Sequence, residues 1–178
     1  MLIKDIDLLE QIIHRFSFSL GKDVAGYRNH VYRVINLCGL LTPLDTSQLE
    51  KIVIAGAFHD LGIWTANTFD YLSASRQLAE AFLIERGQQD WVNEVVGMID
   101  DHHKISPASA APHHLAEVFR RADWIDVSLG LVLFGVDRRR LREIRMCFPN
   151  AGFHRRLLAL SAKRILTHPW NPLPMLKR

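Results

Sequence analysis

Ile52-Val53-Ile54-Ala55-Gly56-Ala57-Phe58-His59-Asp60-Leu61-Gly62 reads as an apolar helix that finishes on an imidazole and a carboxylate. Ile52, Ile54, Ala55 and Phe58 fit the inner side of a helix starting near Ser47, with Glu50 three residues on at a capping-box spacing. Gly62 is expected to cap its C-terminus. An adjacent His and Asp are costly to bury unpaired, so they need partners from elsewhere. Working outward, the chain keeps a helical period. Before this stretch, residues 5–20 place Leu8, Leu9, Ile12, Ile13 and Phe16 on one face, and residues 24–41 carry Val31, Val34, Ile35 and Cys38. Pro43 ends that second helix.

After it, residues 63–72 read as a loop or short turn. Residues 74–86 form a helix with Leu78, Phe82 and Leu83 inward, ending at Gly87. Residues 89–103 form another, burying Trp91, Val92, Val95, Val96 and Ile99. Residues 106–112 are rich in Ala, Ser and Pro and suit a loop. Pro112 suits the first turn of a helix over 113–134. Two further helices, 138–147 and 153–168, are split by Pro149, Asn150 and Gly152, and the prolines at 169, 172 and 174 end regular structure. Almost nothing alternates with period two. The fold class is therefore all-α, a single-domain compact helical bundle over residues 1–178.

With 178 residues, 48% hydrophobic and 23% charged, the chain can bury a sizeable core. No long apolar run follows a basic start, so neither a signal peptide nor a membrane span is expected. Cys38 and Cys147 form no disulfide framework or CxxC pair, and a reducing, cytoplasmic location is expected. The formal charge of +3 is uneven. Residues 138–178 hold nine Arg and two Lys against Glu143 alone, a balance of +10, which leaves −7 for residues 1–137. Such a region is either a solvated basic face or an attractor of phosphate-bearing ligands or nucleic acid, although no nucleic-acid motif accompanies it.

Nine histidines carry more information, because neutral imidazole is the commonest metal ligand. His30 lies inside the apolar pattern of 24–41. Asp123 lies among Phe119, Ala122, Val127 and Leu129. Three helices thus set a ligand-type side chain where an apolar one is expected. His30, His59, Asp60 and Asp123 are the expected ligands of one divalent ion per chain: Mn, Fe, Zn, Co, Ni or, with more oxygen donors, Mg. Neighbouring helical residues point about 100° apart, so His59 and Asp60 converge only where the last helical turn loosens.

The ordered set His30, His59-Asp60 and Asp123 within Arg121-Ala122-Asp123-Trp124-Ile125-Asp126 resembles the HD-domain superfamily of metal-dependent phosphohydrolases. The apolar residues before His59 and Leu61-Gly62 after Asp60 also match, and the resemblance covers roughly residues 25–130, leaving 138–178 as a basic helical extension. It implies a metal-activated water attacking a small phosphoester or nucleotide. Two departures stand out. Ile63-Trp64 follows Gly62 where many members have Lys, and Ser75 stands where two-metal members usually have His. One tightly held metal is expected.

Asp60 is the expected ligand that also steers the water proton. His103 and Lys104 are expected to act catalytically at the leaving group. His102 and His103 together resemble a paired-histidine feature that binds a second metal or faces substrate. Tyr27, Arg33 and Trp64 are the expected substrate contacts; Phe69 and Tyr71 could line the same pocket or belong to the core. Asp126 shares the helix face of Asp123 and suits either a partner that orients a ligand His or a structural role. His113-His114 is expected at the surface. Rival readings are non-phosphate chemistry at the same metal (a hydratase or an iron-dependent oxygenase) and a regulatory or nucleic-acid-binding module with a structural metal.

Overall fold

The structure, a computed structural model, describes residues 2–66, 70–109, 114–167 and 170. Phe69, Pro112, His113 and the prolines at 169, 172 and 174 lie outside those residues. Among the described residues there are ten α-helices, two short 3-10 turns and no strand. They are α1 (Asp7–Arg15), α2 (Ser17–Leu20), α3 (Val24–Leu41), α4 (Thr46–Phe58), α5 (Gly62–Thr65), α6 (Leu72–Glu85), α7 (Val92–Asp101), α8 (Leu115–Val127), α9 (Arg138–Cys147) and α10 (Phe153–Thr167). None of the helices is long and apolar enough to cross a membrane.

Helices α3, α4, α7 and α8 pack on one another around the core. Val31, Val34 and Ile35 of α3, Ile52, Ile54 and Phe58 of α4, Val95 and Ile99 of α7, and Phe119, Ala122 and Ile125 of α8 are fully or almost fully buried in it. Burial of this apolar surface, at roughly 25 cal/mol per Å², drives the helices together. It also determines which ends of them meet.

Several boundaries differ from the sequence expectation for local reasons. The expected first helix is two, because Phe16 leaves helical geometry at φ −105°, ψ 12°. The capping box of α4 is Asp45–Gln48 rather than Ser47–Glu50. Asp45 is extended, its carboxylate accepts from the Gln48 N–H at 2.8 Å, and the Gln48 side chain accepts from the Asp45 N–H at 3.1 Å. The helix expected over 113–134 covers only Leu115–Val127. The chain turns out through Leu129 and Gly130, both at positive φ, and the Gly130 N–H closes back on the Ile125 carbonyl.

Gly62 does not end α4; it opens α5. A Cβ there would lie 2.5 Å from the Tyr71 carbonyl oxygen and 2.9 Å from the Ser75 nitrogen. Only glycine lets α5 approach the start of α6 this closely, and the Gly62 N–H is satisfied by Ser75 Oγ at 2.9 Å. Ser75, at the position of the absent second-metal histidine, is thereby spent on backbone.

Candidate metal centre

Four helix segments end or cross at one buried point. Helix α3 contributes His30 from its middle. The turn joining α4 to α5 contributes His59 and Asp60. The end of α7 contributes His102 and His103, and α8 contributes Asp123 and Asp126. His30, His59, Asp60, His102, Asp123 and Asp126 are buried, while His103 keeps 17% of its side chain exposed.

The convergence of His59 and Asp60 follows from the backbone. After α4 the bonds shorten to the three-residue kind, Leu61 N–H to the Phe58 carbonyl and Ile63 N–H to the Asp60 carbonyl. That tighter winding brings His59 Nε2 to 3.5 Å from Asp60 Oδ2. Around them, His30 Nε2 lies 3.0 Å from His59 Nε2, 3.5 Å from Asp123 Oδ1 and 4.0 Å from Asp60 Oδ2. His59 Nε2 is 3.7 Å from Asp123 Oδ1. The four residues expected from sequence therefore share one small volume.

The protonation of this cluster can be argued from its outer partners. His30 Nδ1 donates to Asp126 Oδ2 at 2.7 Å, His59 Nδ1 to the Gly56 carbonyl at 2.8 Å, and His102 Nδ1 to the Ile99 carbonyl at 2.6 Å. Each partner is an acceptor, so each ring carries a proton on Nδ1, and neutral His30 and His59 turn a lone pair on Nε2 inward. Burial acts to lower His102, but Asp60 and Asp123 outweigh it and raise this imidazole above its usual range. Two such lone pairs 3.0 Å apart repel unless a cation lies between or beside them. Asp60 Oδ1 and Asp123 Oδ1 are also buried without a hydrogen-bond partner among the described residues, which is costly for a carboxylate oxygen. Inward lone pairs and orphaned carboxylate oxygens are the donor set of a divalent cation, and the residues fit one. His30, His59 and Asp60 form one group with the spacing to hold an ion. Asp60, His102 and His103 form a second that shares the carboxylate.

Without a cation the charges conflict. Burial, joined by Asp60 and Asp126, pushes Asp123 up to about 7 against the pull of His102 and His30. Burial also holds His59 down to about 3, with His102 and His30 adding to the effect against Asp60. Burial acts to raise Asp60, but His59, His102 and His103 outweigh it and keep this carboxylate well below its usual range. Burial and the neighbouring His102 hold His103 well below the usual histidine range.

Asp126 takes the orienting role that its helix face suggests. Besides His30 it accepts from Arg33 Nε at 2.6 Å and Arg33 Nη2 at 2.8 Å. Arg33 completes its set on the Phe148 and Pro149 carbonyls. Arg33, expected at the substrate, is instead fully engaged behind His30, because a buried guanidinium needs this many acceptors. Tyr27, also expected there, is buried with its hydroxyl donating to the Ala57 carbonyl at 3.0 Å, and its ring stacks near His59. The third expected substrate contact, Trp64, donates to Asp23 and packs against Tyr27. Lys104 is half-buried, and its carbonyl accepts from Arg120 and Trp124, which fixes the segment carrying His102 and His103. His114 is exposed, as expected.

Two contributors were missed or left undecided in sequence. Phe153, the first residue of α10, stacks on His30 with centroids 4.0 Å apart. Nothing local signals this, because the contact joins residues 123 positions apart. The nearest hint is Gly26, one turn before His30, whose Cβ would press on the Ala151 carbonyl and the Phe153 nitrogen. Tyr71 turns its hydroxyl to 2.8 Å from His103 Nε2 and 3.5 Å from His102 Nε2, so it lines the cluster as well as the core.

The HD domain family matches residues 27–128, a span that contains every one of the converging residues. The chain belongs to the HD-domain superfamily of metal-dependent hydrolases. No curated protein and no solved structure matches it.

Proposed function

We propose that this protein is a metal-dependent phosphohydrolase acting on a small phosphoester or nucleotide. The observation that carries the reading is the pair of orphaned buried oxygens, Asp60 Oδ1 and Asp123 Oδ1, facing inward imidazole lone pairs in a chain of this superfamily. His30, His59, Asp60 and Asp123 would hold the cation. When bound, it supplies Lewis acidity toward a phosphoryl oxygen and lowers the pKa of water.

The chain's own residues supply the rest. Asp60, kept ionised by its histidine neighbours, can accept the proton of the attacking water. His103 is the cluster member open to solvent, with Nδ1 3.9 Å from Asp123 Oδ2. Its depressed pKa makes it neutral near pH 7, so it serves as a hydrogen-bond donor to a substrate oxygen rather than as a fixed positive charge. Asp126, Arg33 and Phe153 hold His30 in one orientation. Lys104, beside His103, adds positive charge at the leaving group.

The test is turnover of a generic phosphodiester and a nucleotide panel with Mn, Co, Ni, Zn, Fe or Mg added, paired with metal analysis. Metal-dependent phosphate release that disappears in Asp60→Ala, with helical content retained, is the expected result. No phosphoester turnover with any of these metals, together with iron-dependent oxygen uptake or nitrile hydration, would overturn it.

A further inference from the structure

A cavity lies beside Asp126, the residue that holds His30 on its Nδ1 side. It has a volume of about 200 Å³, far above the roughly 10–15 Å³ that one water requires. Arg33, Asp126, Arg145, Phe148, Asn150 and His154 line it. Asp126 links it to the cluster, accepting from His30 Nδ1 while His30 Nε2 faces His59.

The charges in this cavity do not balance. Asp126 is its lining carboxylate, and both oxygens are already taken by Arg33 and His30. His154 accepts from Asn150 on Nδ1 and donates to the Asp126 carbonyl from Nε2, so it is neutral. Arg145 is left over. No described carboxylate forms an ion pair with it, and its Nη2 is buried without a hydrogen-bond partner among the described residues. Of the other α9 arginines, Arg139 and Arg140 share Glu143, while Arg138 and Arg142 are exposed to water. Burial acts most strongly against the Arg145 charge, Asp126 favours it and the nearby Arg33 opposes it, with the net shift downward; an added anion would relieve this conflict.

We propose that this cavity binds an oxyanion of the phosphate class, gripped by Arg145 with Asn150 at its rim, at a site separate from the metal centre. A guanidinium offers paired N–H donors that match two oxygens of a phosphate. The excess of Arg and Lys over Glu143 in residues 138–167 then has a local purpose, raising the concentration of anions at this mouth.

The probe is inorganic phosphate, titrated into the metal-loaded full chain and followed by calorimetry, with adenosine monophosphate as a second arm. The expected result is saturable phosphate binding that weakens roughly tenfold or more in Arg145→Gln and less in Arg145→Lys, which keeps the charge but not the paired donors. Metal content should be unchanged in both variants. Tighter binding of the nucleotide, lost in the same variant, assigns the site to a phosphate group of a larger molecule; phosphate alone assigns it to the free ion. Equal phosphate affinity in wild type and Arg145→Gln would place all binding at the metal and overturn the proposal, as would no binding. Should Arg145→Gln not fold, phenylglyoxal labelling of the wild type decides. Phosphate must protect Arg145 from modification, and unprotected labelling refutes the site. Because turnover is not the readout, failure here leaves the hydrolase reading standing.

Discussion

Asp126→Asn separates the support of the metal centre from the centre itself. In the native chain Asp126 accepts from Arg33 Nε, Arg33 Nη2 and His30 Nδ1 at 2.6, 2.8 and 2.7 Å, all between buried side chains. An amide of the same shape has one acceptor oxygen and one NH2. Whichever way it turns, the NH2 faces at least one N–H. Charge-assisted bonds contribute about 1.5–3 kcal/mol each, but these three belong to one network and do not add. Removing one partner of a buried ion pair costs about 3–5 kcal/mol, and that is the expected loss for the metal-free chain. Total stability is typically about 5–15 kcal/mol, so the variant should fold, but less stably. His30 also loses the acceptor that keeps its proton on Nδ1, and a shift to Nε2 would aim an N–H into the donor cluster. Metal affinity should fall about 10–100-fold. Urea unfolding in chelator and a competitive metal titration read the two effects. Lost stability with unchanged metal affinity would refute the claim that Asp126 acts through His30. No change in either would refute the network.

Gly62→Ala should destabilise the chain by about 2–4 kcal/mol, from overpacking and the strained Gly62–Ser75 bond, seen as a melting-point drop; an unshifted melt would contradict the tight approach of α5 to α6. Metal affinity should fall about tenfold per pH unit below about 7 and level off above it, because a cation must displace the proton that the metal-free Asp123 retains there, whereas His59 at about 3 has none to lose. A titration that is flat between about pH 5.5 and 8 would exclude Asp123 as the controlling ligand. After mild dialysis, metal analysis should find close to one ion per chain, since His102 and His103 depend on a carboxylate already shared with the first group. His103→Ala should lower turnover and leave that ion bound; loss of the ion would make His103 a principal ligand.

Sequence by itself determined the helical class, the extents of α3, α9 and α10 within a residue, and the set His30, His59, Asp60 and Asp123. These were legible because each is a violation of a local pattern. A polar ligand on an apolar helix face stands out within a few residues of its neighbours, and burial makes it expensive unless it has partners. The place of Asp126 on the face of Asp123 was legible from their one-turn spacing, but its choice between orienting a histidine and a structural role was decided by its contacts with His30 and Arg33. The tertiary structure alone decided what surrounds that set. Arg33 satisfies the same one-turn spacing from His30 as a substrate contact would, yet it points at Asp126 and the Phe148 and Pro149 carbonyls. Phe153 reaches His30 across most of the chain, and Tyr71 meets His103 only because Gly62 admits the start of α6. Helical spacing records which residues share a face. It does not record which neighbour covers that face, because that depends on how distant helices cross.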